Sequence, residues 1–600
     1  MNPVQRHWAV MAAIVGLSFA TLLLLPGPDR PTPAEAVAES DSAGDGRALA
    51  LTGVRLFDGR DVIEDASVVW SDGVVVAAGA DVDVPADAER IDGQGKTALP
   101  GLIDSHVHSF GGAQADALRF GVTTMLDMFR APTDFEAQHA ARDSTAPTDR
   151  ADLFSAGFLA TAEGGHGTQY GIDVPIADGP ENAQAWVDAR LAEGSDWIKI
   201  VVEGGRVWGG ETPTLDAATV QALVEAAHAR DVLAVAHVST RAEAELAVAA
   251  GVDGLVHLFV DEPLDAAMAA EWAERDLFVI PTLPVLAAAH DQPGPSRLTG
   301  FETVTERLST EQQLSLDSDF PAAAMRSARW PGVESSIAVL HRAGVPLLAG
   351  SDAPNPGTAH GLSLLDAVIR LHEAGLSPIE ALRAATSVPA SLFPIDERGC
   401  LRRGCRADLV LVDGNPLEDP AALLAIDSVW KNGAPVDLAT DAPPPPEPVP
   451  AGEPAAPIDL LASSSNWMPS ADDFMGGASE SAIEPADGAL RVTGTLRAGY
   501  AFPYAGAMWI AGDFPMDPVD RRGWSSFRLD VDSDLGMLRV MFFSGGNPQP
   551  VWRDIAPGES IEIDLNELGG LDLSAFQAVG VFAAQPNGEF EFRIEAARFE

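Results

Sequence analysis

Between residues 100 and 350 short apolar runs alternate with amphipathic stretches whose apolar positions recur at helical spacing. The apolar runs at 101–108, 122–128, 153–159, 197–202, 233–238, 254–259, 278–283 and 345–349 predict buried strands. The amphipathic stretches at 182–193, 217–230 and 243–250 predict helices between them. Eight apolar strands with intervening helices predict an α/β fold, a (β/α)8 TIM barrel over 99–398. The stretch 294–332 is too long for a simple connection and predicts extra helices or a lid.

The pattern changes on both flanks. Runs at 49–57, 68–76 and 90–99, punctuated by Asp58-Gly59 and Asp72-Gly73, read as short strands, as do 407–412 and 428–432. The two blocks, 48–98 and 399–438, predict one small β-sandwich formed from both flanks of the barrel. Residues 439–457 form a proline-rich linker, extended and stiff. Beyond it, 458–600 lacks long helical patterns and alternates at 527–531, 538–543 and 589–596, which predicts a C-terminal all-β, jelly-roll-like sandwich. At the other end Arg6 and His7 precede an uncharged run from 9 to 25, closed by Pro26. Residues 1–36 therefore read as a signal peptide, with Ala34-Glu35-Ala36 as a cleavage site, or as an N-terminal membrane anchor. Either reading puts the protein in the periplasm or outside the cell.

Composition narrows the chemistry. A formal net charge of −50 argues against nucleic-acid partners, which need lysine and arginine against phosphate. Acidity of this size otherwise reports a strongly solvated surface. Of 38 basic residues only three are lysines, Lys96, Lys199 and Lys431, so a retained lysine raises the question of what its primary amine does. The two cysteines, Cys400 and Cys405, are too few for a metal site; they either close a small disulfide loop or remain free thiols.

The candidate chemistry lies at strand ends. His106 and His108 close the first run, and residues i and i+2 of a strand share a face. A lone His-x-His more often packs or lies exposed than binds metal. Here, however, His237 closes the fifth run, His257 the sixth, and Asp352 follows the eighth. Burial of four imidazoles and an acid without partners would be costly, so their recurrence at one end of a barrel points to a metal site. Lys199 sits inside the fourth run, Trp197-Ile-Lys-Ile. It either pairs with a buried acid or snorkels to the surface, or else loses its proton by desolvation and takes up CO2 to form a carbamate between two cations. His166 in a glycine-rich loop and His360 in the loop after Asp352 are candidates to grip substrate or a developing oxyanion, against the alternative of simple loop exposure; Arg206 and Tyr170 are weaker ones.

The motifs Leu99-Pro-Gly-Leu-Ile-Asp-Ser-His-Val-His, Trp197-Ile-Lys-Ile, Ala236-His, Val256-His and Gly350-Ser-Asp-Ala resemble, in order, those of the amidohydrolase superfamily, in its imidazolonepropionase-like and prolidase-like branch. The segment Arg406-Ala-Asp-Leu-Val-Leu-Val-Asp-Gly-Asn-Pro-Leu resembles the family's returning sandwich segment. Ser351 departs from the commoner Thr, and Cys400 and Cys405 stand where Ser or Thr and Lys are usual. The resemblance implies one divalent ion on His106, His108 and Asp352 and a second on His237 and His257, with carbamylated Lys199 bridging them; zinc suits such ligands best. It further implies that a hydroxide shared by the two ions attacks a carbonyl while Asp352 acts as general base and acid.

The expected reaction is hydrolysis of a C–N amide bond in a dipeptide, an N-acyl amino acid or a similar small amide. A cyclic-amide hydrolase of the imidazolonepropionase type is the nearest alternative, weakened by Lys199 and by the export signal. A purine-type deaminase fits less well, because Val238-Ser239-Thr240 follows His237 where a His-x-x-Glu acid would be needed. From another class, the protein could be a carbohydrate-binding surface protein with a degenerate barrel. The C-terminal stretch opening Asn466-Trp-Met-Pro-Ser-Ala-Asp-Asp-Phe resembles the complex I intermediate-associated protein 30 domain, a galactose-binding-like sandwich. That resemblance implies an accessory module with a carbohydrate or protein ligand. Trp467, Trp509, Trp524 and Trp552 either stack on sugars or, as is commoner in sandwiches, fill the core.

Overall fold

The computed structural model describes residues 48–440 and 458–600, apart from 169–173, 209, 291, 319, 321–328, 394, 396, 463–465, 472–478, 487, 498–503, 513–518, 545–549, 570 and 585–587. The leader at 1–36, nearly all of the linker and Tyr170 lie outside the described residues. Among those described, no helix is long and apolar enough to cross a membrane.

Seven of the eight apolar runs form parallel strands. Leu102–Val107, Val122–Asp127 and Asp152–Ser155 pair in order, and Ile198–Val201, Ala234–His237, Gly254–Val256 and Phe278–Ile280 form a second set. Single bridges from Ala160 to Ile200, Val279 to Leu347 and Val107 to Ala353 join these sets into a TIM-barrel-like ring. The eighth run is therefore a bridged segment and not a strand. Pro346 has no N–H to give, and the contact there is made by its carbonyl, which accepts from Val279 N at 2.9 Å. Most strands are also shorter than their apolar runs. Ala156, Leu159 and Ala160 are buried although the third strand stops at Ser155, because apolar character reports burial and not ladder pairing.

Helix boundaries follow local chemistry. Ala183–Glu193 ends at Gly194, whose φ of 103° is left-handed. Arg241–Ala250 begins two residues before the expected start, because Thr240 and Glu243 close a capping box. The 294–332 stretch contains the helices Glu302–Thr305 and Thr310–Leu316.

Strands from both flanks join in one eight-stranded sheet, and a bridge from Val74 to Arg406 ties its two halves together. In it Lys96–Pro100 lies between Leu409–Asp413 and Leu49–Phe57. The run at 68–76 is not one strand but a hairpin, Val62–Ser71 and Val74–Gly79, turned by Asp72 and Gly73 at φ 51° and 76°. Where this sheet meets the barrel, buried Lys431 donates to Asp152 at 2.9 Å and Asp408 at 2.8 Å, and Arg398 also holds Asp152 at 2.8 Å. Cys400 and Cys405 are joined by a disulfide.

Residues 458–600 form a six-stranded and a five-stranded sheet around their own apolar core. Trp467, Trp509 and Trp524 belong to that core, Trp524 lying flat on Phe599 at 4.1 Å. They are not sugar platforms; only Trp552 of the four is half-buried.

Candidate metal centre

The side chains singled out at strand ends converge at one mouth of the ring. His106 is fully buried near the end of its strand, and His108 follows it. Asp352 is locked beside them: its N–H donates to His106 O at 2.8 Å, and His108 N donates to Ala353 O at 2.9 Å. Its φ of 57°, and that of 67° at His257, place two non-glycine residues in the left-handed region, a cost of about 1–3 kcal/mol each that surrounding structure must hold.

Nε2 of His106 and Nε2 of His108 each lie 3.1 Å from Asp352 Oδ1. Despite that proximity, His106 Nε2 and Asp352 Oδ1 are buried with no hydrogen-bond partner among the described residues. Three acceptor atoms aimed at one another, with no donor geometry, are what a divalent cation requires. These three residues form a group able to hold a metal ion.

The remaining expected ligands surround this group without entering it. The His257 ring lies 4.9 Å from that of His106 and 4.5 Å from that of His237, and His257 Nε2 is 3.8 Å from Asp352 Oδ2. Thr282 Oγ1 holds the opposite nitrogen, Nδ1, at 2.6 Å. Lys199, on Ile198–Val201, is 2% exposed, and among the described residues no carboxylate comes within ion-pair distance of it. Burial lowers its pKa to about 7, against the opposing pull of Asp352 and Asp127. Burial likewise lowers His106, His166, His237 and His360 to about 3, which keeps these imidazoles neutral. Burial alone would raise Asp352, but the His106 and His257 rings hold it well below the usual carboxylate range.

The two loop histidines differ in setting. The His166 ring lies 4.8 Å from His237 at the edge of the cluster. His360 is buried, and neither of its ring nitrogens has a hydrogen-bond partner among the described residues. Its backbone carbonyl accepts from Gln312 Nε2 at 2.6 Å, and Ser315 Oγ donates to Pro354 O at 3.2 Å. The helix Thr310–Leu316 therefore braces the loop after Asp352. Arg206 is exposed.

Several residues went unremarked in the sequence. Asp104 accepts from His106 N at 3.2 Å and Ser351 N at 3.0 Å, and burial raises it to about 7. Asp127, which ends the second strand as His106 nearly ends the first, accepts from Ser109 N, Phe129 N and Ser155 Oγ. A polar residue closing an apolar run was the available signal for it. Glu203, directly after the fourth run, and Thr282, near the end of the seventh, carried the same signal; Gln312 carried none.

A family model described as "Amidohydrolase family" matches residues 97–436. The chain is 25% identical over 430 residues to ochratoxinase from Aspergillus niger, covering 62% of this chain and 82% of that protein. It is 25% identical over 420 residues to imidazolonepropionase from Idiomarina loihiensis, covering 62% and 93%. Among solved structures, a Xaa-Pro dipeptidase with bound methionine in its active site aligns with a TM-score of 0.52 at 23% identity, covering 65% of this chain and all of that one, a likeness of fold. The extent of the family match, the ring of strands and the convergent donors at its mouth agree: the chain belongs to the amidohydrolase family of metal-dependent hydrolases acting on carbon–nitrogen bonds.

Proposed function

We propose that the protein is an exported hydrolase of small amides, such as dipeptides or N-acyl amino acids, that works with two divalent metal ions, preferably zinc. The observation that carries this reading is the convergence of His106 Nε2, His108 Nε2 and Asp352 Oδ1 beside His237, His257 and a buried Lys199 with no ion-pair partner among the described residues. His106, His108 and Asp352 would hold one ion, and His237 and His257 the other. A Lys199 amine with its pKa near 7 is partly neutral. It can add CO2 and release a proton, giving a carbamate whose two oxygens suit a bridge between cations. When bound, the ions supply a water that ionises near neutral pH and a polarised substrate carbonyl. With the ions in place, Asp352 could hold a proton from water on its carboxylate and pass it to the departing amine. His166 and His360, neutral at this depth, offer N–H donors to the substrate.

The relatives named ochratoxinase and imidazolonepropionase and the Xaa-Pro dipeptidase fold support an amide or cyclic-amide substrate. The uncharged run after Arg6 and His7 supports export, and 458–600 is read as an accessory binding module. Metal analysis of the purified chain should find about two divalent ions, as in two-metal hydrolases. A panel of dipeptides, N-acyl amino acids and cyclic amides should then yield turnover that chelation abolishes and zinc restores. A metal-free protein that cannot be loaded would sink the reading.

A further inference from the structure

Glu203 is 1% exposed and lies in the loop that follows the Lys199 strand. Its Oε1 accepts from Gly205 N at 2.6 Å. Its Oε2 accepts from Trp208 Nε1 at 3.3 Å and from Ser239 Oγ, and it faces His237 Nε2 at 3.4 Å. Oε2 is the acceptor for both Trp208 and Ser239, so the His237 nitrogen that faces it is the N–H, Nε2, and the ring's lone pair lies on Nδ1. His257 is arranged in the opposite sense: Thr282 engages its Nδ1, and its Nε2 turns toward Asp352.

We propose that Glu203 is a positioning residue that fixes His237 as the Nε2–H tautomer, leaving Nδ1 free to bind a cation. This inference rests on the two-ion reading above. A carboxylate behind a ligating imidazole orients the ring and raises its basicity, and its loss typically costs about 10–100-fold in metal affinity. The competing explanation is that Glu203 merely ties together the loops after the Lys199 and His237 strands. Glu243 is the control for that role. It joins the same two loops by accepting from Gly204 N at 2.7 Å, Ser239 N at 3.0 Å and Thr240 N at 2.7 Å. Among the described residues, the donors to its carboxylate are all backbone N–H groups.

The test is a titration of the metal-stripped full chain with Co2+, followed by visible absorption and paired with the thermal midpoint of the metal-free protein. Wild type should take up about two equivalents; uptake of only one, or none, overturns the two-ion reading whatever Glu203 does. In Glu203→Gln one equivalent should bind about 10–100-fold more weakly, while the other keeps its affinity and the thermal midpoint stays close to wild type. Glu243→Gln should lower the midpoint and leave both affinities alone. Wild-type affinity for both equivalents in Glu203→Gln overturns the proposal, as does weakening that tracks the midpoint equally in the two variants. If Glu203→Gln fails to fold, Glu203→Asp carries the same test, because the shorter arm keeps the charge but draws it away from His237 Nε2.

Discussion

The two ends of the barrel each bury a lysine, and they treat it in opposite ways. At the end facing the flanking sheet, Lys431 is fully buried between Asp152 and Asp408, with Asn432 Oδ1 at 3.3 Å and Arg398 donating to the same oxygen of Asp152. At the mouth, Lys199 is as deeply buried, but among the described residues no carboxylate is within ion-pair distance. The first lysine has its charge neutralised by neighbours; the second is pressed by burial to give its charge up. A buried cation with partners holds a seam together. One without partners is an unfavourable feature that the proposed role in the site's chemistry would explain, in accord with the division of such barrels into a stabilising end and a reactive end.

Substitution should separate the two ends cleanly. Lys431→Met leaves Asp408 without its cation and Asp152 with Arg398 alone, and breaking a buried pair from one side should cost about 3–5 kcal/mol. Urea unfolding should register that loss while turnover per folded molecule stays at the wild-type level. Lys199→Met should do the reverse. Turnover should fall by about 10²–10³-fold, the scale of one preorganised charge-stabilising group, and stability of the metal-free protein should hold or rise as an unpaired amine leaves the interior. Equal destabilisation by both substitutions would erase the distinction.

The brace over the mouth should give a smaller effect. Gln312→Leu leaves the His360 carbonyl without its donor, a cost of about 1–3 kcal/mol that also frees the loop. A fall of roughly tenfold in kcat/KM is expected, since 1.4 kcal/mol corresponds to a factor of ten, with metal content unchanged. If metal is lost in parallel, the helix Thr310–Leu316 supports the ligands themselves and not the substrate loop.

The contrast between the ends was half legible in the sequence. His106, His237, His257 and Asp352 stood out because each interrupts an apolar run at its end, a signal local to a few residues. Lys199 stood out because the chain uses so few lysines and because it sits inside an apolar run; the rarity also marked Lys431, whose structural role had to await the position of Asp152 far away in the chain. Glu203, Thr282 and Gln312 act across separations of 34, 25 and 48 residues, which leave no periodicity to read. The eighth strand failed as an expectation for a backbone reason, Pro346, that hydrophobicity does not register. The tryptophans of the last domain were ambiguous because a ring that stacks on a sugar and a ring that fills a core look alike in composition.

An exposed pair supplies the scale against which both buried lysines can be read. Glu380 closes a capping box with Ser377, accepting from its N–H at 2.8 Å, and also meets His341 Nε2 at 3.1 Å. These contacts, with the Ser377 hydrogen bonds first, lower its pKa to about 2 from an ordinary 4.5. Between those two values the unfolded chain binds the proton that the folded chain refuses, so stability rises with pH across that window. The contribution is complete above about pH 4.5 and disappears as pH falls toward 2. Glu380→Gln should therefore lower stability slightly above about pH 4.5, where the contribution is complete, and leave it near the wild-type value toward pH 2, which flattens the acid limb. Because the side chain is 45% exposed, water screens the pair and the effect should be the smallest of the series. Acid unfolding of the two proteins, followed by circular dichroism, measures it; a shift as large as that of Lys431→Met would mean that burial is not what separates the strong pairs from the weak ones in this molecule.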